Sequence, residues 1–285
     1  MNIRSIKRKL QEAHRSFIAS IKNEEIAKLV NEKSFITGGA IVSLLLEEDP
    51  NDYDYYFMDQ ESCIQVAEYY VNKFNRSTND TYGATVKKIE DRVSVFVPSQ
   101  GVAKAKYKEG FNPVFLSTNA ITLSDNVQLI TRFYGDPEEV HENYDFVHCT
   151  CYYIPHKNEL VLPQKALESL VTKDLKYVGS KYPVASIVRS RKYIERGWSI
   201  NAGQYLKMIL QCGALNLNDP TVLEEQLTGV DLSLFKTVIE AIKDKKKQDS
   251  DFTVSLEWVS EVIDKVFDEE ELDQYIHSTD EEVFE

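Results

Sequence analysis

Residues Gly38 to Asp54 read Gly-Gly-Ala-Ile-Val-Ser-Leu-Leu-Leu-Glu-Glu-Asp-Pro-Asn-Asp-Tyr-Asp. A glycine pair opens an apolar run, and Asp-x-Asp arrives thirteen residues after the second glycine. Two glycines ahead of Ala40–Leu46 let a backbone turn come close to a phosphate at the start of a helix, where free N–H groups favour anions. Asp52 and Asp54 stand at i and i+2 in an aromatic stretch, so on a strand their side chains share one face. Two carboxylates on one face suit hard divalent cations, which take oxygen ligands and draw in triphosphate oxygens.

The flanks support a strand, a turn, a helix and a second strand in that order. Ser34–Thr37 reads as a short strand, Ala40–Glu48 as a helix stopped at Pro50, and Tyr53–Met58 as a strand. Before them, Ile6, Leu10, Phe17, Ile18, Ile21, Ile26 and Leu29 fall at helical spacing and predict a pair of N-terminal helices over 1–33. After them, Gln60–Phe74 is an amphipathic helix. Short strands follow at Ala84–Ile89, Arg92–Val97, Pro113–Leu116, Asn119–Leu123 and Val127–Phe133. Pro137–Glu142 makes a short acidic helix, and Asp145–Ile154 reads as one more strand.

From Pro155 onward the period changes to a helical one, with segments at Gln164–Leu170, Pro183–Arg196, Ala202–Cys212, Thr221–Leu227, Leu232–Lys245 and Ser255–Phe267. The expected class is α+β, a mixed β-sheet flanked by helices over 1–155 followed by an all-helical part over 156–285.

The Gly-Gly-x(12)-Asp-x-Asp arrangement resembles the signature of the DNA polymerase β-like nucleotidyltransferase superfamily, and within it the poly(A) polymerases and CCA-adding tRNA nucleotidyltransferases. Two further stretches carry the resemblance. Gly135–Val147 is similar to the family segment in which an acidic helix leads into Arg-Arg-Asp-Phe-Thr, with Asp145-Phe146 matching its Asp-Phe. Tyr182–Trp198 resembles the helix that joins the catalytic head to a helical neck and body.

The resemblance implies a head, a neck and a two-magnesium site on Asp52 and Asp54, with Asp145 at the start of a neighbouring strand as the third carboxylate. Gly38, Gly39 and Ser43 would cradle phosphates, and Arg189 with Lys192, at i and i+3 on one helical face, would reach a triphosphate from the neck side. It implies transfer of a nucleoside monophosphate from a triphosphate, with ATP the expected donor, to an acceptor hydroxyl, an RNA 3′ end first among the acceptors. A protein hydroxyl and a catalytically retired scaffold stay open as alternatives.

Departures from the family pattern bear on the substrate. Asn143 and Tyr144 stand where the family has two arginines, and Val42-Ser43 stands where it has Arg-Asp. No Glu-Asp-x-x-Arg follows in the helical part, so the chain is not expected to read bases as CCA-adding enzymes do. Asn201 and Gln204 are the amides left to meet a base edge.

Composition narrows the setting. Hydrophobic residues at 42% and charged residues at 28% belong to a globular chain of 285 residues with ample core. No apolar stretch approaches the roughly 20 residues of a membrane span, and the basic N-terminus has no apolar run behind it. Cys63, Cys149, Cys151 and Cys212 are too scattered for a disulfide framework or a zinc site and read as reduced core thiols, so a cytoplasmic location is expected.

The net charge is −13, but Asp264–Glu285 holds ten acidic residues against one lysine, a net of −9, leaving −4 for the rest. That balance neither favours nor opposes RNA. The alternating lysines of Ala103–Gly110 suit a polar loop or a nucleic-acid rim, and Lys243–Lys247 a helix end. The five histidines lack metal spacing, and no nucleophile has a base near it in sequence, so hydrolase chemistry has no support.

Overall fold

The computed structural model describes residues 2–89, 92–98, 103–105, 110–227, 233–249 and 252–266. The chain begins with α1 (Ile3–Ser20), α2 (Glu24–Lys33), β1 (Ser34–Thr37), α3 (Gly39–Leu45), β2 (Tyr53–Phe57) and α4 (Gln60–Ser77). Six strands follow: β3 (Thr85–Ile89), β4 (Arg92–Phe96), β5 (Ala103–Lys104), β6 (Pro113–Leu116), β7 (Ala120–Leu123) and β8 (Val127–Tyr134). Then come α5 (Pro137–His141), β9 (Tyr152–Ile154), β10 (Glu159–Val161) and α6 (Gln164–Thr172). The remaining elements are helices: α7 (Pro183–Glu195), α8 (Ala202–Cys212), α9 (Pro220–Gln226), α10 (Ser233–Gln248) and α11 (Leu256–Val266). The fold is α+β, with a mixed sheet flanked by helices and a helical C-terminal part.

Local chemistry explains where the first helices start. Asn2 accepts hydrogen bonds from the Arg4 and Ser5 amides and Asn23 from those of Glu25 and Ile26, so each asparagine caps a helix. Ile6, Leu10, His14 and Phe17 form the buried stripe of α1, at spacings of three and four. Asp136 and Glu139 close a capping box at α5, with Pro137 in the first turn.

The main sheet has strand order β10-β9-β1-β2-β8-β7-β6-β5, and β3 with β4 forms a separate hairpin. Only β2 and β8 run parallel among these pairs. In the antiparallel pair of β1 and β2, Phe35 faces Tyr56 and Thr37 faces Asp54, which puts these four side chains on one face. Ile36 and Tyr55 take the other face.

That second face is closed by α1 and α4. The Phe17 ring lies 5.1 Å from Tyr55 and 6.3 Å from Tyr70, and all three side chains are fully buried. His14 Nδ1 reaches the Tyr55 hydroxyl at 3.2 Å. Truncating Phe17 to alanine would cost about 3–5 kcal/mol by the usual penalty for a buried aromatic. The first face holds a second cluster, Phe35, Tyr56, Val140 and Ile154, against which Tyr144 and Tyr152 pack. The segment from α5 to β9 therefore lies over the face that carries Asp54.

Two expectations are corrected here. Asp145–Ile154 is not one strand. A 3-10 turn over Val147–Thr150 precedes β9. Val147, His148 and Cys149 are buried in succession, which an alternating strand cannot do on a single covered face, and the Thr150 hydroxyl donates back to the Val147 carbonyl. Nor is its strand the neighbour of β2: within the sheet β9 pairs with β1, while Tyr144, ahead of it, packs on Tyr56 of β2.

The chain forms two compact units, Met1–Val178 and Gly179–Glu285, whereas the change of period put the boundary at 155/156. The residues between belong to the first unit for clear reasons. β10 pairs with β9, the Val147 amide donates to Lys176 O, and the Val178 amide donates to Asp145 O at 2.9 Å. In the second unit the described residues are helical or irregular, with no strand after Val161. Within it α7 packs on α8 and α9, and α10 on α9 and α11. The Ala103–Gly110 loop falls partly outside the described residues, and the acidic tail beyond Val266 wholly so.

Candidate active site

The glycine turn and the carboxylates meet in space. Gly38 leaves β1 with φ +84 and ψ −139, a backbone region that side chains with a Cβ avoid, and α3 starts at the next residue. A Cβ on Gly38 would stand 3.4 Å from the Tyr144 hydroxyl and 3.6 Å from Asp54 Oδ2. The turn thus touches the carboxylate, although sixteen residues separate them. Gly39 faces open space, with no atom within 4 Å of a Cβ placed there. Ser43 lies one turn further along α3, half-buried, and its carbonyl accepts the Leu46 and Glu48 amides.

Asp54 sits on β2, and Asp52 stands at the strand's entrance, since β2 begins at Tyr53. Although Asp54 keeps some solvent-exposed surface, desolvation first and the negative charge of Asp52 second hold its carboxyl well above the usual range. A desolvated carboxylate raised further by a neighbouring carboxylate is one that a divalent cation would relieve. Magnesium typically takes one or two protein carboxylates and completes its shell with phosphate and water. Asp52 and Asp54 fit that demand.

Asp145 stands off β2, at the turn between α5 and the 3-10 turn. Among the described residues no three His, Cys, Asp or Glu side chains are gathered so as to hold a metal. Asp145 Oδ1 accepts the Phe146 amide at 3.0 Å and so serves the turn it stands in. The neighbour of Asp54 on the other side is Gln128 of β8, an amide at the adjacent register position, which donates to Thr122 Oγ1 at 3.4 Å.

Three residues that the motifs did not single out line this corner. Burial first, then Tyr56 and Asp54, push the Tyr144 phenol well above its ordinary range, so its hydroxyl stays neutral. Thr37, fully buried and opposite Asp54 in register, bonds His141 Nε2 at 2.8 Å and Cys151 O at 2.9 Å. The threonine has one proton and the carbonyl can only accept, so His141 carries its proton on Nε2 and donates it to Thr37. Burial lowers His141 to about 4 against the opposing pull of Glu138, and the ring rests 5.0 Å from Tyr144. In sequence, only the resemblance that set Tyr144 in the place of an arginine hinted at this cluster.

Arg189 and Lys192 both lie on α7 in the second unit, half-buried and exposed respectively, and Arg191 is held by Glu195 at 2.8 Å. All four cysteines are free thiols, and burial pushes Cys63 and Cys151 up to about 12. No helix among the described residues is long and apolar enough to cross a membrane.

An α+β fold whose mixed sheet sets a glycine turn beside the desolvated Asp54 defines the general class of this protein. Its family is shown by residues 8–173, which match the model described as "Gabija anti-defense 2 family protein"; the chain belongs to that family. Gabija anti-defense 2 of Bacillus phage SPbetaL7 is 24% identical over 254 residues, covering 88% of this chain and 54% of that protein. The chain thus spans about half the length of this curated relative.

Among solved structures, the Thermotoga maritima CCA-adding enzyme complexed with tRNA is similar at a TM-score of 0.40 and 12% identity, over 91% of this chain and 67% of that one. A CCA-adding enzyme in apo form is similar at 0.45 and 13%, over 87% and 54%. A tRNA nucleotidyltransferase with a primer tRNA and an incoming ATP analogue is similar at 0.41 and 15%, over 86% and 62%.

Proposed function

We propose that this chain is a nucleotidyltransferase of the DNA polymerase β-like superfamily, moving a nucleoside monophosphate from a triphosphate to an acceptor hydroxyl. One observation carries the reading: Asp54 Oδ2 lies 3.6 Å from the position of a Cβ on Gly38, beside Asp52. A phosphate held at the glycine turn would lie against the carboxylates that hold magnesium. Bound there, magnesium would neutralise triphosphate charge and polarise the reacting oxygens. Asp52 and Asp54 hold the metal, Gly38 and Gly39 admit the phosphates, and Tyr144 offers a neutral hydrogen bond where the family has an arginine. ATP is the expected donor.

The acceptor assigned is an RNA 3′ end in the cytoplasm. The name of the phage relative records action against the defence called Gabija, and we extend that role to this chain, with nucleotidyl transfer as its means. A second reading, a binding module on a retired head, is favoured by Gln128 beside Asp54 and by the absence of a three-ligand cluster among the described residues.

Incubation with each α-labelled triphosphate, magnesium and total RNA or total protein separates the readings. Label in RNA supports the proposal and label in protein moves the acceptor. No label, with no thermal stabilisation by any triphosphate and magnesium, leaves the binding module.

A further inference from the structure

α8 presents a face of large apolar side chains to solvent. Leu206, Ile209 and Leu210 are 55%, 59% and 68% exposed, while Met208 on the opposite side is fully buried. At 3.6 residues per turn, Gly203, Leu206, Leu210 and Gly213 line up along the helix, with Ile209 and Ala214 at the flanks of that line. The one charged residue of α8, Lys207, sits at the edge of the face and reaches Gln204 Oε1 at 3.1 Å. Scattered exposed aliphatics are ordinary on a protein surface, but three together on one face are not.

The order of residues on this face points to its occupant. The face is close to symmetric about position 208: Leu206 and Leu210 stand two residues to either side, Gly203 and Gly213 five. A face with that pattern is complementary to a copy of itself run antiparallel, which brings Leu206 of one chain against Leu210 of the other. Small residues at both ends allow close approach, at the roughly 8–10 Å typical of packed helices. Reversal about the centre sets Lys207 across from Ile209, so no like charges are opposed. These are the requirements of an isologous two-fold contact.

We propose that α8 pairs two copies of this chain in an antiparallel, two-fold dimer. The proposal stands apart from the nucleotidyl-transfer reading, since it uses none of those residues. Three large side chains fall short of the roughly 800 Å² per partner of a standard interface, so the dimer is reversible and concentration-dependent.

Sedimentation velocity on the full chain, from low micromolar to sub-millimolar concentration, tests it. The wild type is expected to shift from monomer towards dimer, and Leu206→Glu combined with Leu210→Glu to stay monomeric throughout with an unchanged circular dichroism spectrum. Leu206→Ser with Leu210→Ser replaces that pair should the glutamates disturb the helix. The register is tested in a Cys212→Ser background by mixing Leu206→Cys and Leu210→Cys proteins under mild oxidation. The mixed disulfide should exceed either self-pair. A wild type that stays monomeric at every concentration would overturn the proposal and leave the face to a different protein. A dimer indifferent to the paired substitutions, or self-pairs as abundant as mixed ones, would overturn it equally.

Discussion

Thr37 Oγ1 and His141 Nε2, 104 residues apart in the chain, are 2.8 Å apart in the fold. The bond ties the end of β1, where the glycine turn begins, to the last residue of α5. The ring takes part through the proton on Nε2, and burial, not this bond, keeps His141 neutral by lowering it to about 4. In an unfolded chain the same group titrates near 6.5.

The sign of the resulting pH dependence follows. Between about pH 4 and 6.5 the unfolded chain binds a proton at this residue that the folded chain does not, so stability rises with pH across that window. It is fully present above 6.5 and lost on acidification. The shift corresponds to about 3 kcal/mol, reduced to roughly 2 because the ring keeps partial access to water. Denaturant melts at a series of pH values should show the slope in the wild type and its loss in His141→Gln. An equal slope in both would assign it to other groups.

Gly38→Ala should be the costlier of the two single glycine changes. Its φ of +84 with ψ −139 strains any residue that has a Cβ, by about 1–3 kcal/mol. The added methyl would sit in ordinary contact with Tyr144 and Asp54, so the cost lies in the backbone. Gly39→Ala, in helical backbone with open space around it, should change stability by no more than about 1 kcal/mol, with gain the expected sign. Chemical denaturation of both variants checks the contrast. Equal losses would mean that the turn does not take the conformation described.

Asp54→Asn removes the charge that Asp52 and burial disfavour, so the metal-free protein should gain stability, more at neutral than at acid pH. A carboxyl raised in the fold is stable in its protonated form, and its penalty grows as pH climbs from the unfolded value through the folded one. Triphosphate turnover should fall by at least about 100-fold, the upper end of what even indirect changes around a metal cost. Thermal stabilisation by triphosphate with magnesium should vanish with it. Retained stabilisation would count against metal binding by this pair.

Asp145→Asn should behave differently. The amide oxygen can still accept the Phe146 amide proton, so stability should change by no more than about 1 kcal/mol. With no three-ligand cluster among the described residues, turnover should fall less than tenfold, far short of Asp54→Asn. Kinetics of the two variants side by side decide it, and equal losses would return Asp145 to the metal site.

Much of this molecule was readable along the chain. Asn2 and Asn23 cap the first two helices, Ile6, Leu10 and Phe17 mark the buried stripe of α1, and Pro137 marks the first turn of α5, because capping, periodicity and proline geometry act over a few residues. The pairing of Gly38–Gly39 with Asp52-x-Asp54 was legible for the same reason: one turn, one helix and one strand connect them. The place of β9 was not. It joins β1 instead of β2, a choice made by backbone pairing across the whole sheet, and Val147, His148 and Cys149 are buried together ahead of it. Nor could local spacing reveal that Tyr144 would rest on Gly38, or that Thr37 would hold His141. Those contacts exist because α5 folds over the Phe35–Tyr56 cluster, and hydrophobic burial, unlike a cap or a turn, has no fixed distance in sequence.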